Sequence, residues 1–288
     1  MQPEEHDRHD PRESAPGAGD SGPAPAGPPP GLFDRVNNYL LLVYAGACLL
    51  MDYSLAGLLY FKGMIPLSLS LPGIFSILVP FFLLSQRSTL GFAREFSLGR
   101  PEIKATAVIL LVSAAAILPI EAFSGIFERM WAPDADYTSF VLSIKPKGPV
   151  SFFFIAIGLV LVAAVTEELL FRGFIQRIFQ RNMNGALAVV LAGLLFSLCH
   201  FNPPAIPGIA ALGILYGYIF YRTGVLWYSV MGHAIYNLVT LVRLDAASEE
   251  QIVSAKVVSP DLAWTLVSLG VLLFSLRLLS RLPAPRGQ

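Results

Sequence analysis

The chain has 288 residues, of which 55% are hydrophobic and 14% are charged, and its formal net charge is zero. Its mean hydropathy of +0.62 is far above that of an ordinary soluble domain. The composition therefore indicates an integral membrane protein, and the zero net charge gives no electrostatic basis for binding nucleic acid.

The N-terminal segment, residues 1–31, is predicted to be a disordered polar tail. Its first 30 residues contain eight prolines and four glycines and no aliphatic run. Such a segment cannot bury enough apolar surface to fold. No cleavable signal peptide is expected, because this polar tail precedes the first apolar segment.

Eight apolar segments follow the tail. A membrane-spanning helix needs about 20 mostly apolar residues, and the fifth and sixth segments are short by that measure. In chain order the segments cover residues 38–60, 65–85, 104–122, 150–171, 186–200, 205–221, 225–243 and 262–281. The predicted fold class is all-α, a polytopic transmembrane bundle of about eight helices.

The distribution of basic residues predicts how the chain is oriented in the membrane. If the N-terminus is cytoplasmic, 14 Lys and Arg residues fall on the cytoplasmic side and six on the other. Because basic residues are enriched on the cytoplasmic side of membrane proteins, both termini are predicted to be cytoplasmic. The expected location is a cell membrane of the bacterial inner-membrane type.

Ionisable side chains inside apolar segments are costly, which makes them functional candidates. Glu167 and Glu168 are adjacent in the stretch VAAVTEELLFRGF. His200 and His233 also lie in predicted membrane segments, whereas the other two histidines lie in the tail. A single buried histidine is commonly a core residue, but two of them with a glutamate pair favour a catalytic or transport site.

Residue spacing predicts that Glu167 and His200 lie at the same depth. The helix that carries Glu167 is expected to continue to about Arg181, and residues 182–185 are expected to form a turn. Glu167 lies 14 residues before Arg181, and His200 lies 15 residues after Gly185. At 1.5 Å per residue both lie about 21–23 Å from the turn. The spacing leaves the level of His233 undetermined.

Helical periodicity also predicts which side chains share a face. Residues four apart lie on one face, and neighbours point about 100° apart. Glu167 can therefore face the bundle while Glu168 faces elsewhere. The pairs four apart are Glu168 and Arg172, Phe196 and His200, and His233 and Asn237.

Three motifs emerge in order, Glu-Glu-x-x-x-Arg, Phe-x-x-x-His and His-x-x-x-Asn, all within apolar segments. Together they resemble the CPBP family of intramembrane proteases, also called the Abi or CAAX-protease family. The resemblance covers about residues 150–243, and it implies a CAAX-protease-like catalytic core there. Residues 32–149 would then be the N-terminal transmembrane helices with their connections, and residues 244–288 the last helix and C-terminal tail.

The resemblance also implies a role for each motif residue. The water-activating pair would be Glu167 and His200, the oxyanion-stabilising donors His233 and Asn237, and the supporting residues Glu168, Arg172 and Phe196. A glutamic-type protease of this kind needs no cofactor. The alternative is zinc or another divalent metal held by Glu167, His200 and His233, since three ligands and an open position suit a catalytic zinc.

The expected activity is hydrolysis of a peptide bond in a membrane-anchored protein or peptide within the lipid bilayer. A prenylated CAAX protein, a bacteriocin precursor, a membrane-anchored regulator and a C-terminal sorting tail are the substrates considered. Two other classes are the alternatives. One is a non-catalytic scaffold or immunity protein of the same fold, and the other is a proton-coupled transporter, which also places Glu and His at midplane.

Overall fold

The structure, a computed structural model, describes residues 31–130, 135–253 and 260–283. The predicted polar tail therefore lies outside the described residues, apart from Gly31. The main helices of the described part are α1 Asn38–Phe61, α2 Ile65–Ser85, α3 Ile103–Glu128, α4 Ala135–Ile144, α5 Pro149–Asn182, α6 Gly185–Leu198, α7 Ile206–Thr223, α8 Leu226–Ala246 and α9 Leu262–Ser280. Short helices occupy Leu32–Arg35, Phe92–Glu95, Pro203–Ala205 and Glu249–Val253.

The all-α polytopic fold is confirmed, since the described residues form helices and no strands. Each of the eight predicted segments is helical. Six helices, α1, α2, α3, α5, α7 with its preceding turn, and α9, are long and apolar enough to cross a membrane. At 14 residues, α6 spans about 21 Å, which is less than a bilayer core. Helix α8 is long enough but less apolar, because it carries His233, Asn237 and two charged residues near its end.

Helix α5 lies at the centre of the bundle and contacts α1, α2, α6, α7 and α8. It is longer than the apolar segment alone indicates, and it continues to Asn182 as the hairpin argument predicts. Two π-helical stretches, Ile157–Ala163 and Phe171–Gln176, flank the α-helical turns from Ala164 to Leu170. π-helical turns often occur at functional sites.

The turn between α5 and α6 is confirmed where it was predicted. Helix α5 ends at Asn182, and the Asn184 side chain caps α6 by accepting a hydrogen bond of 2.8 Å from the Leu187 amide. Asparagine is a favoured N-cap residue because its side chain satisfies a free amide of the first helical turn. The cap therefore fixes the point from which α6 runs back along α5.

Helices α6 and α7 make a close antiparallel crossing at two glycines. A Cβ atom built on Gly193 would lie 2.7 Å from the backbone nitrogen of Ile214 and 2.9 Å from the carbonyl carbon of Gly213. Small residues allow membrane helices to approach this closely. The crossing sets the distance between α6, which carries Phe196, and α7, whose Gly213 carbonyl contacts the buried Arg172.

We expect Gly193→Ala to destabilise the protein. The methyl group would overlap backbone atoms that cannot rotate away, and overpacking costs about 1–3 kcal/mol. Alanine favours helix over glycine by about 1 kcal/mol, so the clash decides the sign. The measurement is the thermal unfolding midpoint in detergent. Gly270→Ala in α9 is the matched control, since its Cβ would meet nothing within 4 Å. Equal midpoints for the two variants would contradict the close crossing.

Candidate active site

The adjacent glutamates of α5 occupy different surroundings, as the 100° rotation between neighbours predicts. The Glu168 side chain is fully buried, whereas the Glu167 side chain is 30% exposed. Glu167 Oε2 is buried and has no hydrogen-bond partner in the protein. One carboxylate is therefore enclosed by protein, and the side chain of the other is partly exposed.

Glu167 lies between the two membrane histidines. Its Oε2 atom is 4.0 Å from His200 Nε2 and 3.9 Å from His233 Nε2. The predicted proximity of Glu167 and His200 is confirmed, and His233, whose level the spacing left open, lies at the same point. Both separations exceed the length of a direct hydrogen bond and suit a single bridging water or substrate atom.

The orientation of each histidine ring is set by a contact of its Nδ1 atom. His200 Nδ1 lies 2.8 Å from the Phe196 carbonyl, and His233 Nδ1 lies 2.9 Å from Glu168 Oε1. A carbonyl and a carboxylate only accept hydrogen bonds, so each Nδ1 carries a proton and donates it. The Nε2 atoms are thereby aimed at Glu167.

Glu168 and Arg172 form a buried ion pair beneath this site. The distance from Arg172 Nη1 to Glu168 Oε1 is 2.7 Å, and both side chains are fully buried. Arg172 Nη2 also donates a 2.9 Å hydrogen bond to the Gly213 carbonyl of α7. The same Glu168 oxygen accepts from His233. The pair thus joins α5 to α7 and α8.

Phe196 packs against three of the polar side chains. The Arg172 guanidinium lies 4.4 Å from the centre of its ring. Its ring centre is also 4.7 Å from that of His200 and 5.8 Å from that of His233, both edge-to-face. A cation over a ring face and aromatic edges are favourable contacts. Phe196 therefore contacts the Arg172 guanidinium and both histidine rings, while Glu168 bonds His233 directly.

Asn237 lies one turn after His233 on α8 and faces α5. Its amide nitrogen donates a 2.8 Å hydrogen bond to the carbonyl of Leu159, which lies in the first π-helical stretch. An asparagine amide has two N–H groups. One N–H donates to the Leu159 carbonyl, and the second N–H is left to donate to a substrate.

Two residues beside the site were missed in the sequence. Tyr216 of α7 stacks on His233 with ring centres 5.7 Å apart, and its hydroxyl donates to the Gly232 carbonyl. Ser229 in turn donates to the Tyr216 carbonyl at 2.9 Å. Nothing in the sequence distinguishes Tyr216 from the other tyrosines of α7, because its contact depends on how α7 and α8 cross.

The residue types around Glu167 suit a metal, but their spacing is wide. Metal-binding histidines usually donate their other ring nitrogen to a carbonyl or carboxylate, as His200 and His233 do. Ligands of a tetrahedral zinc lie about 3.3 Å apart, which is less than the separations of 3.9 and 4.0 Å here. Within residues 31–130, 135–253 and 260–283, no three such side chains are spaced to hold an ion.

Comparison with known families finds a match for the segment that carries the site. Residues 149–239 match the family described as "Type II CAAX prenyl endopeptidase Rce1-like". The matched segment is about a third of the chain and contains all seven predicted site residues. No curated protein and no solved structure matches the chain.

The match confirms the resemblance to CAAX-protease-like proteins. Together with the apolar helices, it identifies an integral membrane protein and supports intramembrane protease activity in general. It also implies a membrane-associated protein substrate in a bilayer.

We expect Glu168→Ala to reduce stability and accumulation in the membrane together with activity. The change leaves the fully buried Arg172 without its counter-ion, and breaking a buried pair in this way costs about 3–5 kcal/mol. The measurement is the thermal unfolding midpoint and the amount of purified protein. Glu250→Ala, in the exposed helix Glu249–Val253, is the control. If both variants are as stable as wild type, the buried pair has no structural role.

Proposed function

We propose that the chain is an intramembrane endopeptidase of the glutamic type, which hydrolyses a peptide bond of a membrane-associated protein or peptide. The observation that carries this proposal is the position of Glu167 Oε2, within 4.0 Å of the Nε2 atoms of both His200 and His233. The family match of residues 149–239 supports the reaction class.

In the proposed first step, Glu167 and His200 bind and activate one water molecule. A water that hydrogen-bonds both Oε2 and Nε2 would fit the 4.0 Å gap between them. Glu167 then takes a proton from the water while the water oxygen attacks the carbonyl carbon of the scissile peptide bond. The same carboxyl later gives that proton to the leaving amine, so that atoms and charges balance. The unpartnered Oε2 atom of Glu167 suits this role.

In the proposed second role, His233 and Asn237 stabilise the oxyanion that forms at the attacked carbonyl. Donation from His233 Nε2 requires a proton there, and since Nδ1 donates to Glu168, the donor form is the imidazolium. Asn237 would contribute the N–H that Leu159 does not use. Fixed donors aimed at developing negative charge are commonly the largest catalytic contribution.

The substrate is proposed to reach the site from the side where the chain breaks between α6 and α7. The side chains of Glu167 and His200 are 30% and 34% exposed, and the neighbouring Leu198 and Phe201 expose apolar surface. Prenylated CAAX proteins are the first class to test, because the description of the matching family contains the words "CAAX prenyl endopeptidase". Bacteriocin precursors, membrane-anchored regulators and sorting tails are the others.

The proposed orientation has both termini in the cytoplasm of a bacterial-type cell membrane. It follows from the 14 to 6 distribution of basic residues. In this orientation the turn between α5 and α6 is cytoplasmic, and the site lies about 22 Å from it, since Glu167 is 15 residues from the end of α5.

Glu167→Gln is expected to lower the cleavage rate by about 10²–10⁴, the contribution of a general base. The substitution keeps the size of the side chain, so the thermal unfolding midpoint should stay near that of wild type. The measurement is cleavage of a farnesylated CAAX peptide in detergent, together with proteomics of membrane and secreted fractions to find unprocessed substrates. Glu250→Gln is the control. Wild-type cleavage by a folded Glu167→Gln variant would show that Glu167 is not the general base. A folded wild-type protein that processes no substrate in either measurement would instead favour the non-catalytic scaffold or immunity protein.

Asn237→Ala is expected to lower kcat by about 10²–10³, the usual effect of losing one oxyanion donor. Asn237→Asp should be worse, because a carboxylate repels the oxyanion. Metal content, measured on the purified protein, should not change in either variant, and wild-type activity should survive prolonged chelation. Stoichiometric zinc that is lost together with activity in His233→Ala would show that the enzyme is a metalloprotease.

A further inference from the structure

The turn that carries His200 is held in an unusual conformation. Helix α6 ends at Leu198, and the amides of His200 and Phe201 donate to the Ser197 and Leu198 carbonyls at 3.1 and 3.2 Å. Phe201 has a φ of 48°. This left-handed region is unfavourable for a residue with a bulky side chain. Contacts from elsewhere in the protein are therefore needed to keep the turn in this form.

The sequence after the turn also leaves a carbonyl without its usual donor. In a continuing helix, the Cys199 carbonyl would accept from the amide of residue 203. Pro203 has no N–H, and Pro204 has none for the His200 carbonyl either. Within an apolar environment an unpartnered carbonyl is costly. The turn needs a donor from outside its own helix.

Tyr53 of α1 supplies this donor. Its hydroxyl donates a hydrogen bond to the Cys199 carbonyl, and its ring meets the Phe201 ring edge-to-face with centres 5.4 Å apart. Tyr53 therefore contacts the residue before His200 and the residue after it. The adjacent Asp52 interacts electrostatically with Glu167. Two consecutive residues of α1, Asp52 and Tyr53, therefore interact with residues at the site.

The orientation of the His200 ring depends on this turn. The His200 amide bonds Ser197, which leaves the Phe196 carbonyl free for His200 Nδ1 at 2.8 Å. That contact aims Nε2 at Glu167, 4.0 Å away. If the turn relaxed toward a regular helix, the His200 amide would take the Phe196 carbonyl, and the ring would lose the contact that orients it.

We propose that Tyr53 is a positioning residue for His200, which it holds through the turn from Cys199 to Phe201. The proposal rests on the proposed function, in which His200 helps to activate water. Tyr53 lies outside residues 149–239, the segment that matches the family. The N-terminal helix α1 would then be part of the catalytic apparatus and more than a membrane anchor.

The test compares Tyr53→Phe with wild type. The variant keeps the ring and removes only the hydroxyl, so we expect kcat for a farnesylated CAAX peptide to fall about tenfold while KM stays within twofold, since small misplacements of a catalytic group are costly. In protein labelled with ¹³C-histidine, the His200 ring signal, assigned with His200→Gln, should shift. Tyr39→Phe, on an exposed part of the same helix, should change neither quantity.

The kcat and the His200 ring signal together distinguish a positioning role of Tyr53 from a purely structural one. Wild-type kcat or an unmoved His200 signal in a folded Tyr53→Phe variant would overturn the positioning role. A lower thermal midpoint with an unmoved His200 signal would also overturn it, because it would show a structural role alone. If wild type cleaves neither the farnesylated peptide nor any protein found by comparing the proteomes of wild-type and Glu167→Gln cells, the proposed function fails. The shift of the His200 signal then still tests whether Tyr53 positions His200.

Discussion

The buried ion pair between Glu168 and Arg172 is the interaction on which the site depends. A charge in the apolar part of a membrane protein needs a partner, and removing one member of such a pair leaves the other uncompensated. Here each member also bonds a different helix, because Glu168 accepts from His233 of α8 and Arg172 donates to Gly213 of α7. The need to neutralise one charge therefore brings three helices together at the level where the histidines meet Glu167.

Close packing of α6 against α7 accompanies the contacts of the buried ion pair. The backbone carbonyl of α7 that Arg172 reaches belongs to Gly213, one of the two glycines at which the backbones of α6 and α7 come close together. The same crossing places Phe196 over the guanidinium and beside both histidine rings. Stability and site geometry are thus linked, and a change that separates α6 from α7 should affect both.

The part of the site that the sequence predicts is the part that one hairpin determines. Counting residues from a single turn was enough to bring Glu167 and His200 to one level, because both residues lie on consecutive helices that this turn joins, and each is about the same number of residues from it. The π-helical stretch Phe171–Gln176 within α5 did not upset this count. The level of His233 was not predictable in this way, since α6 and α7 are interrupted at residues 199–205. The contacts of Asn237 with Leu159, and of Tyr53 with Cys199, join residues 78 and 146 apart. No local pattern encodes such contacts.

Two neighbouring glutamates with identical chemistry are divided into two roles by their surroundings. Glu168 Oε1 accepts hydrogen bonds from Arg172 and His233, and the side chain is fully buried. It has no access to a water or substrate, so its charge can only organise other side chains. Glu167 is one residue away and rotated by about 100°. Its side chain is partly exposed, and its Oε2 atom faces two imidazole nitrogens. A single helix thereby supplies both the group that holds the site together and the group that is free to take a proton.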